Sequence, residues 1–186
     1  MGFFDKFFSK KEEPHYDSTN ITVRDLDINF VFDYDLSTWK VIALYEYDWG
    51  DSYFTREFKI TDGDETLYLG MEEDDELELT IGSKIKLREL GTVLVNELMT
   101  HQSPPNAFAF KGENYVLMEQ APGYFHDVSK GENDWEEFIS WDFENEKGTH
   151  VITIEQWGEK EFEASLSMYI EEYQLDNILP ASEATN

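Results

Sequence analysis

The sequence predicts a mainly β protein, an antiparallel sandwich or curled barrel built from two pseudo-repeated meanders with one helix between them. Three observations predict it. Apolar residues alternate with a period of two over most of the chain from Ile28 onward, which is the spacing of a half-buried strand. Two-residue turn signals such as Asp62-Gly63, Lys111-Gly112 and Lys147-Gly148 separate the alternating runs. The 186 residues are 40% apolar and 16% aromatic, enough for a core in spite of a net charge of −27.

The tail and linker of residues 1–14 stand apart. Phe3 and Phe7, like Phe4 and Phe8, fall one helical turn apart and share a stripe, with Lys6, Lys10 and Lys11 beside or beyond it. The first eleven residues hold those three lysines against Asp5 alone, so the remainder is even more acidic than the whole. An aromatic stripe with a basic flank is the pattern of a segment lying in a membrane interface, and these seven residues are the expected membrane or partner contact. Docking of the phenylalanines on the body, or disorder, is the plainer alternative for so short a segment. The acylation pattern fails because Lys6 stands where it needs Ser or Thr.

The acidic β domain of residues 15–180 follows, with pseudo-repeats at about 27–82 and 107–170, and residues 181–186 are expected to be a disordered tail. Ile28, Phe30, Phe32 and Tyr34 open the first meander, and Trp39, Val41, Ala43, Tyr45, Tyr47 and Trp49 read as a single stripe on one long strand. Phe54, Phe58 and Ile60, then Leu67, Leu69 and Met71, then Leu77, Leu79 and Ile81 complete it. A helix over about 88–101 is predicted from Leu90, Val93, Leu94 and Leu98, with Gly91 weakening its start and Pro104-Pro105 ending it. It should plug one end or face of the sheets. The second meander runs through Phe108 and Phe110, Tyr115–Met118, Ile139, Trp141 and Phe143, Val151–Ile154, and Phe162 to Ile170. Both meanders are expected to condense around one shared apolar interior.

Composition excludes several classes of function. The chain has no cysteine, hence no disulfide, thiolate nucleophile or cysteine-held metal. The acid excess excludes direct nucleic-acid binding through phosphate neutralisation. No apolar run reaches the ~18 residues of a membrane-spanning helix. The opening residues lack the apolar stretch of a secretory signal, so the expected location is cytoplasmic, with peripheral contact at the inner membrane.

The chemistry-bearing residues nominate no enzyme, and no catalytic, cofactor-binding or metal-ligating residue is assigned. His126 beside Asp127 lacks a nucleophile to complete a triad and reads as an exposed loop histidine. The acidic runs 62–65 and 72–76 lack the spacing of a calcium loop and read as solvated hairpin ends. Trp49, Trp141 and Trp157 read as core or sheet-face residues. Glu46 and Asp48, alternating with Tyr45, Tyr47 and Trp49, read as the charges that protect an edge strand from unwanted pairing.

Residues Tyr45-Glu46-Tyr47-Asp48-Trp49, Tyr68-Leu69, Leu87–Gly91, Ile154-Glu155-Gln156-Trp157-Gly158-Glu159 and Glu161-Phe162-Glu163 resemble a bacterial family, domain of unknown function 4178, over about 27–180. The resemblance implies a non-enzymatic bacterial protein linked to envelope stress and carries no site residues. The expected function is a non-catalytic interaction scaffold, without cofactor, with a basic or membrane-associated protein partner and peripheral membrane contact. The alternative is an acidic decoy that imitates nucleic acid and occupies a basic protein.

Overall fold

The computed structural model describes residues 16–131 and 133–181. The seven tail residues expected to make membrane or partner contact, Phe3, Phe4, Lys6, Phe7, Phe8, Lys10 and Lys11, lie outside the described residues, as does 182–186. Eleven strands form one antiparallel sheet: β1 (Phe30–Tyr34), β2 (Ser37–Asp48), β3 (Phe54–Thr61), β4 (Thr66–Glu73), β5 (Leu77–Ile85), β6 (Ala107–Phe110), β7 (Glu113–Asp127), β8 (Glu136–Asn145), β9 (His150–Gly158), β10 (Glu161–Ile170) and β11 (Asp176–Pro180). Helix α1 spans Thr92–His101. A 3-10 turn at Leu87–Leu90 and the positive φ of Gly91, +96°, occupy the first turn of the stretch read as helical.

The sheet order is β11-β1-β2-β3-β4-β5-β10-β9-β8-β7-β6, and β2 also pairs with β7. That last pairing, Tyr45 to Asp127 through Asp48 to Tyr124, closes eight strands into a ring. The fold is therefore the curled barrel. The halves meet at two seams, β2–β7 and β5–β10, the latter in unbroken register from Leu79–Ile170 to Ile85–Ala164. Strand β2 is hydrogen-bonded on both sides at Glu46 and Asp48, so it is not the edge strand that its alternating charges suggested.

The apolar residues sit on the outer face of this ring in two clusters rather than in one shared interior. Val41, Phe58, Ile60, Leu69 and Leu79 pack beneath β1 with its Phe32, β11 and the 3-10 turn Val23–Asp25. Trp141, Phe143, Ile152 and Ile154 pack beneath α1 through its Leu94 and Leu98, and beneath β6 through Phe110. Each covering element is short and buries one face, so the ring and its covers depend on each other for a sealed core.

Two local features redirect the strands. A bulge between Val41 and Ala43 puts Val41 opposite Ile60 and Leu44 opposite Phe58, which turns Tyr45 and Tyr47 to the inner face. The single stripe from Trp39 to Trp49 is thus two stripes on opposite faces. The Asp62-Gly63 signal lies in a four-residue loop, not a two-residue turn: Thr61 pairs with Thr66, and Asp62 Oδ1 accepts from the backbone N–H of Asp64 and Glu65. The first hairpin instead turns tightly at Asp35-Leu36, both at positive φ, with Leu36 fully in solvent.

Candidate functional site

Seen from inside, the ring is polar. The inner positions of β3, β4, β5, β8, β9 and β10 carry Glu57, Gly70, Thr80 and Lys84, then Ser140, Asp142, Thr153, Glu155, Ser165 and Ser167, around a bore of about 150 Å³. These residues alternate with the outer apolar ones, as the pleat requires. The side chains of Tyr47, Glu57 and Lys84 line both this bore and a wider mouth of about 620 Å³, and so form the layer between them. Tyr45, Tyr68, Phe125, Trp157 and Glu163 wall the mouth, with Lys130, Glu136, Lys160 and Glu161 at its rim.

An ion-pair network crosses the β5–β10–β9 wall. Lys84 Nζ donates to Glu155 Oε2 at 2.9 Å and lies 3.3 Å from Glu163 Oε2. Burial disfavours the Lys84 ammonium, but Glu155, Glu57 and Glu163 outweigh it and hold its pKa above the ordinary range. Glu155 is nearly sealed, at 6% exposure, and needs this partner.

Glu57 faces the network from β3. It accepts the Tyr47 hydroxyl at 3.2 Å. It is largely enclosed by protein and keeps partial exposure to solvent. Burial pushes its carboxyl up to about 7; Lys84 and Tyr47 oppose the rise, and Glu155 and Glu163 reinforce it. Asp142 on β8 is pushed up to about 6 by burial against the opposing hydroxyl of Thr153, which donates to it at 2.6 Å, with Glu119, Glu155 and Glu72 adding repulsion. The tyrosines respond to the same field: burial, then Asp127, pushes Tyr45 up to about 12.

The sign of the Glu57 effect is definite. Its folded pKa lies above the ordinary 4.5, so between 4.5 and about 7 the folded chain holds a proton that the unfolded chain has lost. The resulting instability is absent below that window and complete above it. Glu57→Gln, which keeps an oxygen for Tyr47, is expected to stabilise the protein by on the order of 2 kcal/mol at pH 8 and to be neutral at pH 4. Urea melts at the two pH values check this; an equal change at both would assign the effect to packing.

An aromatic plug closes one side of the mouth. Phe138 stacks on Trp157 with centroids 4.9 Å apart and meets Trp49 edge-on at 5.3 Å, while Phe125 meets Trp157 at 5.2 Å. Of the three tryptophans that the sequence placed in the core or on a sheet face, Trp141 is buried in the outer cluster, and Trp49 and Trp157 belong to this plug. His126 is not a loop residue: it sits half-buried on β7, its ring 4.9 Å from Trp135 and its Nδ1 3.6 Å from Glu46 Oε2 across the seam. Glu72, Glu73, Asp74, Asp75 and Glu76 are exposed around the β4–β5 hairpin. Among the described residues no three His, Asp or Glu groups are placed to hold one metal ion.

Sequence reasoning passed over the bore residues. Their only signal was polar residues at alternate strand positions, which on an open sheet means solvent. Six of the residues carrying the family resemblance meet here all the same: Tyr45, Tyr47, Tyr68, Glu155, Trp157 and Glu163 all line the bore or its mouth.

Fold and bore together define an acidic, ring-closed β protein with a charged interior. The sequence model of the family described as "Domain of unknown function (DUF4178)" matches residues 27–172, and the chain belongs to that family. All eight ring strands fall within the match. An uncharacterized protein of Aquifex aeolicus (strain VF5) is 27% identical over 184 residues, covering 97% of this chain and 99% of that one. No solved structure matches. Among the described residues no helix is long and apolar enough to cross a membrane.

Proposed function

We propose that the protein is a non-catalytic interaction scaffold held peripherally at the cytoplasmic face of the inner membrane by residues 1–11, with its acidic body free to engage a basic partner. One observation carries this reading: the four phenylalanines and three lysines of the tail are net basic, while the body carries all of the chain's excess acid. Anionic lipid attracts the one and repels the other. Each lysine near such a surface contributes about 1 kcal/mol, so the phenylalanines must supply most of the attachment. In the body, the Lys84 charge is already matched by Glu155 and Glu163, which suits a rigid platform.

Deletion of residues 2–11 tests the attachment. The full chain is expected to co-sediment with vesicles containing anionic lipid, and the deleted chain to remain in the supernatant. Equal sedimentation of both, or of neither, would overturn the reading. The exposed run Glu72 to Glu76 favours a second reading, an acidic mimic of nucleic acid that occupies a basic protein. Nucleic-acid-binding proteins captured from lysate and released steeply by salt would support it over the first.

A further inference from the structure

We infer that the mouth of the bore binds a small organic cation, an alkylammonium whose head contacts Glu57 between the rings of Tyr45, Tyr47 and Tyr68. The inference rests on which charges are already used. Lys84 is engaged with Glu155 and Glu163 at 2.9 and 3.3 Å, and Lys130 at the rim lies 3.4 Å from Asp127. Glu57 receives the hydroxyl of Tyr47 and, among the described residues, forms no ion pair in direct contact. Among the described residues, the interior Glu57 and Glu155 and the exposed Glu163 at the mouth therefore share the one ammonium of Lys84. At the rim, Lys130 and Lys160 equal Glu136 and Glu161 in number, so the excess of negative charge lies with Glu57, Glu155 and Glu163 around Lys84.

The walls decide which kind of cation fits. Aromatic faces attract weakly hydrated organic cations and do little for a small ion that keeps its water. The mouth is walled by Tyr45, Tyr68, Phe125 and Trp157, and the Lys84 ammonium already stands 5.7 Å from the centroid of Tyr68. The carboxylates do not converge as three donors on one point, which disfavours a metal ion. A compartment of about 620 Å³ admits an alkyl chain behind the head group.

The site is linked to pH through the groups that face Glu57: Tyr45 and Tyr47 on β2, Tyr68 on β4, Lys84 on β5, Glu155 on β9 and Glu163 on β10. The carboxyl that titrates at about 7 must be ionised to hold a cation, so occupancy rises with pH across that value.

Calorimetric titration of the full chain with n-butylammonium chloride, at constant ionic strength, tests the site. Saturable one-to-one binding is expected at pH 8, weakened about tenfold at pH 6, where most Glu57 is protonated. Glu57→Gln is expected to weaken binding about tenfold or more at pH 8. Glu76→Gln removes the same charge from the exposed β4–β5 hairpin and is expected to leave binding unchanged. Three results would overturn the site: no saturable heat at pH 8, equal losses in the two variants, or displacement by an equal concentration of sodium. The pH series on the unaltered chain stands alone if Glu57→Gln fails to fold; a flat series would overturn the assignment to Glu57.

Discussion

Lys84→Met is expected to destabilise the protein by about 3 kcal/mol at pH 8, read as a lower urea midpoint with an unchanged slope. Methionine fills much of the same volume, so packing changes little and the electrostatic loss dominates. Glu155, at 6% exposure, would lose its ion-pair partner, and Glu57 and Glu163 would lose the charge that offsets their repulsion. A third of the Lys84 side chain reaches solvent, which places the cost at the lower end for a buried pair. Lowering the pH is expected to restore part of the loss: without the ammonium, the folded-state pKa values of these carboxyls rise further, and the folded chain takes up protons as the pH falls. Adding Glu155→Gln to the variant is expected to recover most of the stability at pH 8. A cost below ~0.5 kcal/mol would mean that water screens the network as it screens a surface pair.

The same network shows what alternation in a sequence encodes and what it leaves open. Phe58 and Ile60 against Glu57 and Lys59, or Ile152 and Ile154 against Thr153 and Glu155, mark the two faces of a strand plainly, and the strands are there. Alternation does not say toward which face the sheet curls. The apolar face is ordinarily the concave one; here it is the outer face, covered by β1, β11, α1 and β6, and the polar face lines the bore. Closure was equally hidden, because it depends on Tyr45–Asp48 pairing with residues 124–127, and an alternating pattern carries no information on distant partners. The bulge after Val41 is a third case. No glycine or proline marks it, and it turns Tyr45 and Tyr47 from the outer apolar stripe to the inner face of the ring.

Gly82→Ala is expected to cost at least about 3 kcal/mol and to open the β5–β10 seam first. Gly82 faces Ser167 across that seam, and a β-carbon built on it falls 2.2 Å from the Leu166 carbonyl oxygen, 2.2 Å from Ser167 Oγ and 2.5 Å from Ser167 Cα. A serine hydroxyl can rotate away, but two of the three obstacles are backbone, so the strands themselves must part. The glycine is required here by close approach and not by an unusual φ, which separates it from Gly63 in the exposed β3–β4 loop at φ +105° with open space around it. Gly63→Ala is expected to cost only about 1 kcal/mol, all of it conformational. Hydrogen exchange distinguishes the mechanisms: Gly82→Ala should lose protection along residues 79–85 and 164–170 while the β2–β7 seam keeps it, whereas Gly63→Ala should change only the loop. Parting β5 from β10 also draws Lys84 away from Glu155 and Glu163, so part of the cost should vanish when Gly82→Ala is made in the Lys84→Met background. Strict additivity of the two substitutions would show that the seam and the ion-pair network are independent, contrary to the geometry that places both on the same pair of strands.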